Sequence, residues 1–202
     1  MPEPLLLARP VNLRADSARN RAQILAAARR MLTDDGAVLS MNALAHDAEV
    51  GVGTVYRQFP SVQVLLESLA AEGFAQLVVK ARAAAEEPDG SRAFERIIRA
   101  GFDCQIEDPG LAAVLGSSSF ACADIHDFSV ELFASLESII ARAREAGALR
   151  PDITPDDIRR LLNGVYLATK DLDTSKRDQY LDVLVRGLRA VHPSEAPTPE
   201  PE

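Results

Sequence analysis

In the ten residues Gly51-Val52-Gly53-Thr54-Val55-Tyr56-Arg57-Gln58-Phe59-Pro60, the stretch 52–59 reads as a short helix with one apolar side and one hydrogen-bonding side. Val55 and Phe59 lie four apart and share the inward face, while Thr54, Tyr56, Arg57 and Gln58 all carry donors. Pro60 ends the helix, because proline disfavours helical backbone in the residue before it. Immediately upstream, Ser40 is placed to cap a helix over 41–48 with Leu44 and Ala45 inward, and Glu49-Val50-Gly51 make a three-residue break. Two short helices joined in this way match a helix-turn-helix, whose second helix enters the major groove of DNA. Val52 and Gly53 are small, so the backbone there can come close to the groove floor.

Working outward, the rest of the chain also reads as helix. A first helix over about 17–35 carries Ile24, Leu25, Ala28, Met31 and Leu32 on one face, with Ser17 as its cap and Gly36 as its stop. Ser61 caps a long helix to about 86. Pro88-Asp89-Gly90 is a turn, followed by helices over 91–107 and 111–117, and a long one over 124–146 closed by Gly147. Thr154-Pro155-Asp156-Asp157 combines a cap, a first-turn proline and an acid three residues after the cap, and opens a helix to about 172. The last helix covers 175–191. The resulting class is all-α: a helix-turn-helix domain over 16–60, a linking helix over 61–86, and a helical body over 61–192. Prolines at 2, 4 and 10 mark residues 1–15 as a flexible arm, and the proline- and glutamate-rich tail 193–202 is expected to be disordered.

Composition fits such a protein and excludes others. The 202 residues carry a net charge of −8, which rules out a uniformly basic nucleic-acid coat protein. Residues 1–60 nevertheless balance at +1, and the remainder at −9. No secretory signal is visible, and no run approaches the roughly 20 apolar residues of a membrane span, so the expected compartment is the cytoplasm with no membrane partner. Two cysteines do not make a disulfide framework. Cys122 and His126 are four apart, but a third ligand is lacking, so no metal and no cofactor is expected. The histidines at 46, 126 and 192 are scattered, and no nucleophile–base pair or phosphate loop is visible, so the chain is not expected to be an enzyme.

The stretch 17–70, and above all Gly51–Pro60, resembles the DNA-binding domain of TetR-family transcriptional regulators, and the total length and helix layout extend the likeness to the whole chain. The resemblance implies operator contacts from Thr54 and Tyr56. It also implies contacts from Arg57, from Gln58 (which stands where the family usually has histidine), and from Asn42, Val52 and Gly53. Arg19 and Arg21, at the start of the first helix, are expected near phosphates. There are two departures. Val62 occupies the place of a phosphate-anchoring lysine, which shifts weight to Arg9 and Arg14 of the arm. Glu49 stands where the turn usually has glycine.

In the family the last two helices pair with their twins. That implies a homodimer through Leu161, Leu162, Val165, Tyr166, Leu181, Leu184 and Leu188, reading a palindromic operator in double-stranded DNA. A small-molecule effector would lie among Phe74, Leu77, Phe102, Cys104, Phe120, Phe128, Leu132 and Phe133. Function is then expected to be that of a ligand-responsive regulator, by family default a repressor. The alternative from another class is a helical adaptor that acts through protein partners without binding DNA.

Overall fold

The computed structural model describes residues 13–33, 39–117 and 119–190. These form nine helices and no strand, the all-α class read from the sequence. In chain order they are α1 (Leu13–Thr33), α2 (Met41–Asp47), α3 (Val52–Gln58), α4 (Val62–Ala85), α5 (Gly90–Glu107), α6 (Pro109–Leu115), α7 (Ala123–Glu145), α8 (Pro155–Thr169) and α9 (Thr174–Leu188). Arg9, Gly36, the arm up to residue 12 and the tail 193–202 lie outside the described residues. The chain divides into two compact units, Met1–Leu65 and Leu66–Glu202, and α4 runs from the first into the second.

The first unit closes over a small core. Ile24, Ala27 and Ala28 of α1 meet Met41, Leu44 and Ala45 of α2, with Val55 of α3 and Phe59 just past it, all buried. Each fully buried Leu, Ile, Val or Phe contributes about 1.5–3 kcal/mol, so these few residues carry the unit. Two cations tie the helices together at the rim. Arg30 reaches the Asp47 carboxylate at 2.7 Å, linking α1 to α2, and the Arg21 guanidinium lies 4.5 Å from the Phe59 ring centroid. The expected cap at Ser17 does not occur: α1 begins four residues earlier, and Ser17 sits within it. Ser40 and Ser61 do act as caps, accepting from the Ala43 and Val64 amides at 3.2 Å.

The second unit is organised around α5, whose inner face buries Phe94, Ile97, Ile98 and Phe102 against Phe74, Leu77 and Val78 of α4 and Ile139 and Ile140 of α7. Ile158 of α8 and Leu181, Val185 and Leu188 of α9 complete the core. The helix starts follow from short acceptor side chains. Asp89 accepts from Ser91 and Arg92, Asp108 from Gly110 and Leu111, and Asp173 from Lys176. Thr154 and Asp157 form the reciprocal capping box that their spacing predicts. The Arg99 guanidinium reaches Asp182 at 2.6 Å and ties α5 to α9, holding that carboxyl below its ordinary range.

α4 is long and apolar enough to cross a membrane by length and composition, contrary to the expectation that no run would be. Its apolar side chains Leu69, Phe74, Leu77, Val78 and Ala81 are buried in the protein core. Glu67, on the same helix, is buried too, and accepts from the Ala121 and Cys122 amides at 2.7 and 2.5 Å. A carboxylate satisfied in this way belongs to a packed protein interior.

At Gly90 a side chain would lie 2.7 Å from the backbone carbonyl of Arg142. Neither backbone can yield cheaply, so Gly90→Ala is expected to cost about 1–3 kcal/mol. The measurement is a denaturant titration, and an unchanged midpoint would contradict the close approach of α5 to α7.

Candidate DNA-binding face and C-terminal cavity

α3 presents its two sides as the sequence implies. Val55 is buried, while Val52, Gly53, Tyr56 and Arg57 are exposed, at spacings of one and four residues that place them on one face. Tyr56 is 51% exposed. A side chain added at Gly53 would meet nothing within 4 Å, so the glycine is not required by the protein's own packing. Its bare backbone lies open to whatever docks on α3. Arg57 lies along the helix and donates to the Thr54 hydroxyl at 3.0 Å, an exposed bond that a phosphate or base acceptor can replace at little cost.

The other expected contact residues divide into free and committed groups. Asn42 is exposed in the first turn of α2. Arg19 is exposed and pairs with Asp16 at 3.6 Å. Arg21, although exposed, is engaged with the Phe59 ring. Gln58 is half-buried and donates to the Ser17 hydroxyl at 2.7 Å, joining α3 to α1. In this arrangement its amide nitrogen is used inside the protein, so bidentate reading of adenine would require Gln58 to release Ser17.

The turn between α2 and α3 has an unusual residue at its corner. The Val50 amide donates to Ala45 and the Glu49 amide to His46, the double bond pattern of a Schellman cap. That pattern puts Glu49 at φ 53°, in the left-handed region. Side chains are strained there, and glycine is not. Glu49, standing where the turn usually has glycine, is therefore strained. Gly147 fills the same role at the end of α7 with φ 67°. Glu49→Gly is expected to stabilise the protein by about 0.5–1 kcal/mol, because relief of strain exceeds the added unfolded-state entropy. A thermal melt checks this, and a fall in Tm would contradict it.

The second unit contains an apolar cavity of about 50 Å³. Of the expected effector residues, Phe74, Leu77, Phe120, Leu132 and Phe133 line it. Phe102, Cys104 and Phe128 do not, although Phe128 stacks on Phe74 at 6.4 Å. Cys104 instead accepts from the Lys80 ammonium at 3.2 Å. Burial pushes its thiol up against the pull of Lys80, so it stays protonated and inert. The sequence reading missed Gln105, Ile98, Ile158 and Leu162 among the lining residues. Gln105 carried no signal, because a lone glutamine on an amphipathic helix reads as a surface residue.

α8 and α9 each carry two apolar stripes. Leu162, Leu181 and Leu188 are buried in their own chain, and Val165, Tyr166 and Leu184 are half-buried against the core. Leu161 is exposed, as are Leu167, Leu172, Tyr180 and Val183. Cys122 is the residue before α7 and His126 is exposed on its first turn. Among the described residues no group of three or more His, Cys, Asp or Glu is placed to hold a metal.

A three-helix unit whose short third helix is held inward by Val55, with Phe59 just past it, and is open at Tyr56 and Arg57 defines a helix-turn-helix DNA-binding protein. Residues 24–69 match the profile of bacterial regulatory proteins of the tetR family. Residues 89–190, half of the chain, match the SbtR-like transcriptional regulator C-terminal domain. The chain belongs to the TetR family of transcriptional regulators, which are DNA-binding proteins and not enzymes.

Solved structures agree. A TetR transcriptional regulator from Streptomyces coelicolor is 28% identical, with 85% of this chain and 99% of that one covered and a TM-score of 0.50. The ketosteroid regulator KstR2 of Mycobacterium tuberculosis is 17% identical (85% and 95% covered, TM-score 0.56). PfmR of Thermus thermophilus is 18% identical (83% and 95% covered, TM-score 0.55). These last two share the fold. No curated protein matches the sequence.

Proposed function

We propose that this regulator is a cytoplasmic homodimeric repressor that leaves a palindromic operator when a small molecule enters its C-terminal unit. The observation that carries the DNA half of this reading is the open face of α3, with Val52, Gly53, Tyr56 and Arg57 outward. Residues 16–60 read the groove, with Thr54, Asn42 and Arg19 beside that face. Residues 61–86 link them to a sensing and dimerising body over 61–192. Exposed Leu161, Leu167, Tyr180 and Val183 on α8 and α9 supply the apolar surface that a second copy covers. A two-fold dimer then reads two half-sites about one helical turn, or 34–36 Å, apart.

Release follows if the effector binds better to a form whose half-site spacing does not fit the operator. For a tenfold loss of operator affinity the ligand must prefer that form by only about 1.4 kcal/mol. α4 is the element that carries the change, since only three residues separate it from α3 and it continues into the body.

The test is a titration of an operator selected from genomic fragments, at about 50 and 200 mM salt, with the stoichiometry measured alongside. Two chains per site and a loss of at least about a thousandfold at the higher salt are expected for six or more phosphate contacts. One chain per site, or affinity indifferent to salt, would contradict the dimeric phosphate-anchored reading.

A further inference from the structure

The cavity in the C-terminal unit is apolar throughout its lining except at two residues, and only one of them has anything to offer a ligand. Phe74, Leu77, Ile98, Leu132, Ile158 and Leu162 provide most of the wall. Arg159 also borders the space, but its guanidinium is committed elsewhere. It donates to the Leu115 carbonyl at 2.6 Å, to the Ser117 carbonyl at 3.2 Å and to the Asp156 carboxylate at 2.7 Å.

Gln105 is different. It is 2% exposed, and its Oε1 meets no donor among the described residues. Its amide nitrogen donates to the Gly101 carbonyl at 3.3 Å, one helical turn back. That bond fixes which way the amide points, because turning it over would set two carbonyl oxygens against each other. Gln105 lines the cavity, and the uncommitted part of its amide is an acceptor buried in the cavity wall, which the side chain must turn to present. A buried carbonyl without a donor is costly, and in native proteins it generally marks a place where something else supplies the proton.

We infer that the cavity binds a small, uncharged, largely apolar molecule carrying one hydroxyl or N–H donor, and that this donor is given to Gln105 Oε1. The inference rests on the reading of the C-terminal unit as an effector site and names the effector's class. An anion finds no uncommitted cation in the lining, and a cation finds no carboxylate. A wholly apolar molecule leaves the Gln105 oxygen unsatisfied. The aromatic side chains of Phe74, Phe120 and Phe133 suit a ring, for which the space of about 50 Å³ must widen as the ligand enters.

Phenol and toluene differ only by hydroxyl against methyl and serve as the probe pair, with benzoate as the anionic control. Binding to the full chain is followed by NMR titration. Gln105→Met keeps the length of the side chain and removes the acceptor. It is expected to weaken phenol by about fivefold while toluene binds as well or better, since a neutral hydrogen bond contributes about 1 kcal/mol net. The variant's own melting temperature should hold or rise, because the unpaired carbonyl is gone.

A second variant keeps the test open if that one misfolds. A side chain at Gly101 would meet Leu162 Cδ1 at 3.6 Å, an ordinary contact, and would take up cavity space. Gly101→Ala is therefore expected to fold and to weaken both probes.

If Gln105→Met changes phenol and toluene equally, if benzoate binds more tightly than phenol, or if neither neutral probe binds the native chain, the inference is overturned. Operator affinity measured in the same samples separates it from the reading it rests on. Phenol that binds through Gln105 yet leaves the operator complex intact would sustain the site and contradict ligand-controlled release.

Discussion

Tyr56→Ala is expected to remove operator binding while leaving the fold in place. Tyr56 is half exposed on α3, and its neighbour Val55, not Tyr56 itself, holds the helix to the core. Truncating a surface side chain of this kind changes stability by no more than about 0.5 kcal/mol. On the operator the effect is doubled by symmetry. A loss of about 2 kcal/mol in each half-site gives about 4 kcal/mol for the dimer, close to a thousandfold in affinity. Tyr56→Phe keeps the ring and loses the hydroxyl, and should fall between the two. Gel-shift titration with a parallel thermal melt checks the pair. Operator affinity within about threefold of native, at an unchanged Tm, would place the reading face elsewhere and bring the adaptor alternative forward.

The second large effect is expected from Val183→Glu. Val183 is 67% exposed on α9, whereas Leu181 and Val185 on the same helix are buried in their own chain. A carboxylate at 183 costs the lone chain nothing, but in a dimer it would be taken out of water without a partner. Sedimentation should then give the 21.8 kDa chain alone instead of twice that mass. Operator affinity should fall by about a hundredfold or more, because the two half-sites are no longer held at high effective concentration. A variant that remains dimeric would show that α9 does not supply the contact through this residue.

Much of the architecture was legible because helix boundaries are set by local chemistry. Ser40, Ser61, Thr154 with Asp157, and Gly147 act within three or four residues of themselves, and each sits where its pattern predicts. The helix-turn-helix was legible for a similar reason: Val55 and Phe59 inward with Tyr56 outward is a matter of helical spacing. The exceptions are long-range. Ser17 looks like a cap to its neighbours, but its hydroxyl is used by Gln58, 41 residues away, and the helix starts before it.

The same limit separates the two apolar stripes of α9. Leu181, Leu184 and Leu188 recur with helical spacing, as do Tyr180 and Val183, and periodicity cannot say which stripe meets the chain's own core. Gln105 is the extreme case. Nothing local marks a glutamine as buried, and its placement beside the cavity follows only once α4, α7 and α8 have closed around α5.

If α3 reads a specific two-fold DNA site, selection of genomic fragments by the purified protein shows it most directly. One or a few enriched near-palindromic sites are expected, each lost with Tyr56→Ala. Enrichment of no sequence, or of the same fragments by the native chain and the Tyr56→Ala variant, would contradict it.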